Sequence, residues 1–151
     1  MLRTLKDLFD AIVSPGPAGG DSREHSLELA TAVLLVEAMR ADPTLGAAER
    51  SVVAQSLQAR FPLAPDELER LVELAGEVSR TASDFHQFTS VINDAFDQPQ
   101  KIGIVQAMWK VAYADGHLDV HENHLIARVA DLLHVTHGEY IAAKLRARED
   151  S

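Results

Sequence analysis

The chain predicts an all-α fold, a compact bundle of about seven to eight helices, and three observations carry that expectation. No segment alternates apolar and polar residues with the two-residue period of a strand. Apolar residues recur instead three and four apart in one stretch after another. Two of those stretches also say nearly the same thing. Leu35 through Glu49 is echoed by Met108 through Glu122, so that Asp115 answers Asp42 and Glu122 answers Glu49 at a constant shift of 73. A unit repeated at fixed spacing marks an internal duplication, here two halves related by approximate two-fold symmetry.

The elements follow in order. Leu2, Leu5, Leu8, Phe9 and Ile12 lie at helical spacing and give a first amphipathic helix. Ser14-Pro15-Gly16-Pro17-Ala18-Gly19-Gly20 stops it, since proline and glycine both resist helix propagation. Residues 1–20 therefore form an N-terminal helix and linker, and residues 21–151 the main domain. Asp21 or Ser22 caps the next helix, which runs to about Ala41; its centre, Leu29 to Val36, is apolar nearly all round and is expected to be buried. Val52, Val53, Ser56 and Leu57 mark a further helix, closed by Phe61-Pro62. Pro65-Asp66-Glu67 opens another, with Leu68, Leu71, Val72, Ala75 and Val78 on one face; proline and acids both suit a helix start.

A short helix surrounds Phe85, Phe88, Val91, Ile92 and Phe96. Pro99 opens the second apolar helix, with Ile102, Val105, Met108, Trp109 and Ala112 at core spacing. Leu125, Ile126, Val129, Ala130 and Leu133 form the next, and the last carries Tyr140, Ile141 and Leu145. The repeat persists through these elements. Val52, Val53, Ser56 and Leu57 shift by 73 onto Leu125, Ile126, Val129 and Ala130, and after a one-residue deletion Leu63 to Leu68 aligns with Val135 to Tyr140. The two apolar helices are expected to pack together at the centre.

Composition excludes several functions. The chain has 151 residues, 46% of them apolar, which suits one globular domain. Twenty-three acidic side chains oppose 14 basic ones, for a net charge of −9. Such a surface repels phosphate backbones, so no nucleic-acid partner is expected. Without cysteine there are neither disulfides nor thiolate metal sites. The start of the chain is not a signal peptide, and no apolar run is long enough to span a bilayer. A soluble cytoplasmic protein is the expectation.

Chemistry is confined to the acidic turns. Asp115-Gly116-His117-Leu118-Asp119-Val120-His121-Glu122 is the sharper copy. Gly116 can take positive φ and reverse the chain, and Leu118 pins the turn to the core. Asp119 and Glu122 stand three apart, as in a capping box, where the pair satisfies backbone N–H groups of the first turn for about 0.5–2 kcal/mol. Glu49 behind Gly46 reads the same way. The alternative is that Asp115, Asp119 and Glu122, with Asp42 and Glu49, bind calcium or magnesium, hard ions that prefer oxygen ligands. The spacing is not that of an EF-hand, because His117 stands where that loop needs Asp or Asn. Four carboxylates share one site if the two turns face each other.

The histidines are weaker candidates. His117, His121 and His124 cluster beside the acids, but their spacing is not the zincin pattern, and they read as a solvated helix start. His134 and His137 fall at a helix junction, where capping of carbonyls is expected. There is no nucleophile elbow, phosphate loop or glycine-rich fingerprint. Trp109 and Tyr113, four apart, read as core.

The two Ala-Asp…Glu turns resemble those of the TerB-like family of bacterial tellurite-resistance proteins. The likeness is clearest from Ala112 to Glu122, followed by Leu125, Ile126 and Val129, and extends from about Leu27 to Leu145. The first copy departs from the pattern at Pro43 and Gly46. The resemblance implies a compact all-helical domain with an internal duplication and with its acidic positions as divalent-metal ligands. It implies a place in stress and metal-resistance systems, beside membrane-associated or chaperone-linked protein partners. The domain also resembles the N-terminal region of some membrane-anchored J-domain co-chaperones; neither a J-domain motif nor a membrane span occurs in this sequence, so that role does not transfer. The expected function is thus a non-enzymatic, cation-binding module. Its rival is a structural adaptor that binds a protein along its N-terminal helix or acidic face.

Overall fold

The computed structural model describes residues 20–40, 47–81, 85–114 and 120–149; within them, the side chains of 20–26, 40, 47–49 and 120–122 are outside the description. The expected N-terminal helix at Leu2 to Ile12 and its linker also lie outside it. The described residues form seven helices and no strand: α1 (Gly20–Arg40), α2 (Ala47–Arg60), α3 (Pro65–Thr81), α4 (His86–Ala95), α5 (Gln98–Tyr113), α6 (Val120–Leu132) and α7 (His137–Glu149). The all-α expectation holds.

Helices α1 and α5 are the hub. Helix α1 packs against α2, α3, α4, α5 and α6, and α5 packs against α1, α2, α6 and α7. Their burial follows from their apolar circumference. Leu29, Leu34 and Leu35 of α1 and Ile104, Met108 and Trp109 of α5 are shut off from solvent. Each such side chain contributes about 1.5–3 kcal/mol relative to exposure. Thr31 shares this interior, and its hydroxyl has no hydrogen-bond partner among the described residues. Gly20 is already helical, so the backbone of Asp21 and Ser22 lies within α1, in its first described turn. A first turn also favours acidic and small polar side chains, through the exposed N–H groups at the helix start.

The outer helices bury one face each. In α3, Leu68, Leu71, Val72, Ala75 and Val78 point inward as their spacing predicts, and Glu67 Oε1 accepts the N–H of Ala64 at 3.0 Å to close the helix start. Ser79 Oγ donates to Glu37 Oε1, joining the C-terminal parts of α3 and α1. Helix α2 stops at Arg60, after which Phe61 folds into the core. Helix α5 begins with a capping box: Asp97 accepts the N–H of Gln100 at 2.9 Å, and Gln100 accepts that of Asp97.

Helix α7 differs from its sequence reading. Its buried residues are Ala143 and Ala147, while Ile141 and Leu145 are 37% and 51% exposed. The alanines face α5, α7's principal neighbour, because small side chains let two helices approach closely. His134 and His137 are also corrected. His134 adopts φ 60, its N–H donates to the carbonyl of Asp131, and the Val135 N–H donates to that of Ala130. The backbone itself thereby terminates α6 in a Schellman arrangement. At the start of α7, Thr136 and Glu139 exchange backbone-to-side-chain hydrogen bonds of 2.9 and 3.2 Å, a capping box that satisfies N–H groups, while His137 stacks on Tyr140.

Candidate functional site

The acidic residues singled out by the sequence fall in two stretches, Asp42 between α1 and α2 with Glu49 at the start of α2, and Asp115 and Asp119 between α5 and α6 with Glu122 at the start of α6. Asp42, Asp115 and Asp119 lie outside the described residues, as do the side chains of Glu49 and Glu122. The helix starts are informative nonetheless. Helix α2 begins at Ala47 and α6 at Val120, which puts Glu49 and Glu122 third in their helices, the acidic position of a capping box. His117 and the side chain of His121 are likewise outside the description, and His124 is exposed. Among the described residues, no group of three or more histidines and carboxylates is placed to hold a metal ion.

The frame behind these connections is well defined. Arg60, in the last turn of α2, donates from Nη1 to the carbonyl of Ser56 at 3.1 Å and from Nη2 to the carbonyl of Gly103 in α5 at 2.6 Å. Burial lowers the pKa of its guanidinium. This bond joins the C-terminal end of α2 to the N-terminal part of α5. Both acidic connections leave from the other ends of the same two packed helices.

An aromatic cluster stands just before Asp115. Trp109 is fully buried, with Tyr113 stacked at 6.0 Å and Tyr140 tilted against it at 5.4 Å; His137 stacks on Tyr140 at 6.0 Å. Lys144 Nζ lies 5.0 Å from the centre of the indole, within reach of its negative face. Burial raises the pKa of both tyrosines, and Arg148 opposes the shift at Tyr113. The indole N–H of Trp109 has no hydrogen-bond partner among the described residues. Trp109 is core, as its spacing suggested, and Tyr113 is half-buried at the edge.

One polar junction escaped the sequence reading. Gln98 Nε2 donates to the carbonyl of His134 and to Glu139 Oε1, both at 3.0 Å, and Asn93 Nδ2 donates to the carbonyl of Leu132 at 3.0 Å. Lys101, 9% exposed, reaches Asn93 Oδ1 at 3.4 Å. The backbone N–H of Thr136, then Gln98, holds the Glu139 carboxyl below the ordinary glutamate range, with Lys101 adding a weaker pull. Two signals for this junction were legible, Asp97-x-x-Gln100 and Thr136-x-x-Glu139, both of capping-box form. It locks α4, α5, α6 and α7 together and has the character of a structural clamp.

The comparison with known families now has a geometry to rest on. Residues 28–145, from the buried part of α1 to the exposed Leu145 of α7, match the family described as tellurite resistance protein TerB. The chain belongs to the TerB family. The match spans most of the sequence and contains both acidic connections. No curated protein and no solved structure matches the chain. No described helix of this TerB-family chain is long and apolar enough to cross a membrane.

Proposed function

We propose that this TerB-family chain is a non-enzymatic module whose two acidic connections together bind a divalent cation, calcium or magnesium. Asp42, Glu49, Asp115, Asp119 and Glu122 are its ligands. The observation that carries the reading is the pairing of α2 with α5. Arg60, at the C-terminal end of α2, bonds Gly103 in the N-terminal part of α5, and the acid-bearing stretches adjoin, in sequence, the opposite termini of these two helices. Carboxylates gathered at one end of a packed pair repel one another until a hard cation neutralises them. Capping does not compete with this role, because a carboxylate has lone pairs for both an N–H and an ion. The family's link to tellurite resistance extends the reading to a stress-related role, in the cytoplasm and with a protein partner.

The internal duplication belongs to the same proposal. Glu67 accepts the N–H of Ala64, and Glu139 that of Thr136, at positions the repeat makes equivalent. The purely structural adaptor keeps one observation in its favour: the chain already builds two capping boxes, at Asp97 and Thr136, with side chains of this kind. A melting experiment separates the two readings. With a cation site, millimolar calcium or magnesium raises the melting temperature of metal-stripped protein, and Asp115→Asn removes the gain. A melt that ignores both ions leaves only the capping role.

A further inference from the structure

The outer face of α3 forms a groove that no part of the proposed function uses. Leu63 and Leu74, both half-buried, contribute apolar surface to it, and Leu71 lies beneath. Its walls are acidic: Asp66, Glu67, Glu69, Glu73 and Glu77 line it from α3, against one base, Arg70, among the described residues. Glu28 of α1, 5% exposed, completes the lining.

We infer that this groove is the docking site of the chain's own N-terminal segment, Leu2 to Val13. Three independent features fit. The first is the tether. Helices α1 and α3 run in the same direction, since Glu28 shares the groove with residues 63–77 and Glu37, further along α1, meets Ser79. Gly20 lies about 12 Å before Glu28 along the helix. The linker of residues 14–19 spans up to about 20 Å, enough to return Val13 to the Leu63 end of the groove.

The second feature is length. Twelve residues, Leu2 to Val13, would measure about 18 Å if wound as the helix their spacing predicts, and Asp66 to Glu77 along α3 measure about 17 Å. The third is charge. A segment returning antiparallel to α3 brings Arg3 and Lys6 level with Glu77 and Glu73, and Asp10 level with Arg70. The stripe of Leu2, Leu5, Phe9 and Ile12 then covers Leu63 and Leu74. The match combines a helix-in-groove contact with complementary ends.

The cysteine-free chain allows a clean test. A short bismaleimide cross-linker is applied to the dilute full-length double variants Lys6→Cys/Glu73→Cys and Lys6→Cys/Arg128→Cys, both checked for native helicity. Arg128 is exposed on α6 and outside the groove. The first pair is expected to form an intramolecular link at least tenfold faster. Charge reversal Lys6→Glu is expected to release the segment, read as faster proteolysis before Gly20, and Glu73→Lys in the same chain to restore protection. Equal linking rates overturn the proposal, and so does linking mainly between molecules, which identifies a second copy as the occupant.

Discussion

Arg60 donates from Nη2 to the carbonyl oxygen of Gly103 at 2.6 Å, across the interface of α2 and α5. Space beside that glycine is tight. A Cβ at position 103 would stand 3.1 Å from Nη2 of Arg60. Arg60→Ala is expected to cost about 1.5–3 kcal/mol, the usual range for hydrogen bonds from a charged donor. Gly103→Ala displaces the guanidinium in the natural chain, but in the Arg60→Ala background it should stabilise α5 by up to about 1 kcal/mol through helix propensity. A double-mutant cycle by urea unfolding checks this reversal of sign; additive effects would refute it.

Thr31 offers a gain in stability. Its hydroxyl is buried in α1 without a partner among the described residues, and Val has nearly the same shape without the polar atom. Thr31→Val is expected to add about 1 kcal/mol, seen as a rise of about 2–4 °C in melting temperature. A lower melting temperature would show that the hydroxyl is satisfied in solution.

His134 holds a left-handed conformation that side chains disfavour, while its N–H donates to the carbonyl of Asp131 and its carbonyl accepts from Gln98. His134→Gly removes the clash while keeping that acceptor, at the cost of a freer unfolded chain. A net stabilisation of up to about 1 kcal/mol is expected, measured by thermal or urea unfolding.

Glu139 links stability to pH. Its folded pKa is lowered, first by the N–H of Thr136 and then by Gln98. A depressed carboxylate contributes its stability above the unfolded pKa of about 4.3 and loses it as the pH falls through the folded value. Glu139→Gln should therefore be less stable than the natural protein at neutral pH, with the difference closing below about pH 4. A difference that is constant between pH 7 and pH 3 would contradict the assignment.

Much of this fold was legible in the sequence, for identifiable reasons. The run Leu29–Val36 is apolar nearly all round, so burial was its only stable outcome, and the stripe of α3 was strict enough to name every apolar residue that it buries. Helix α7 was misread because hydropathy ranks Ile141 and Leu145 above Ala143 and Ala147. What decides its inward face is how closely α7 approaches α5, a tertiary property. The His134 junction was misread for a related reason: a Schellman end is made by backbone groups, which leave no mark in side-chain chemistry. The candidate site was legible only as a pattern of acids at a shift of 73, since whether two distant connections meet depends on how the helices between them pack.

The central claim is that the carboxylates of the two connections share a cation. Calorimetric titration of calcium, magnesium and zinc into metal-stripped, full-length protein tests it most directly. The account predicts saturable binding of calcium or magnesium at one ion per chain, abolished by Asp115→Asn and weakened by Asp42→Asn. Absence of binding heat for all three ions, or calcium or magnesium binding unaffected by either substitution, would contradict it.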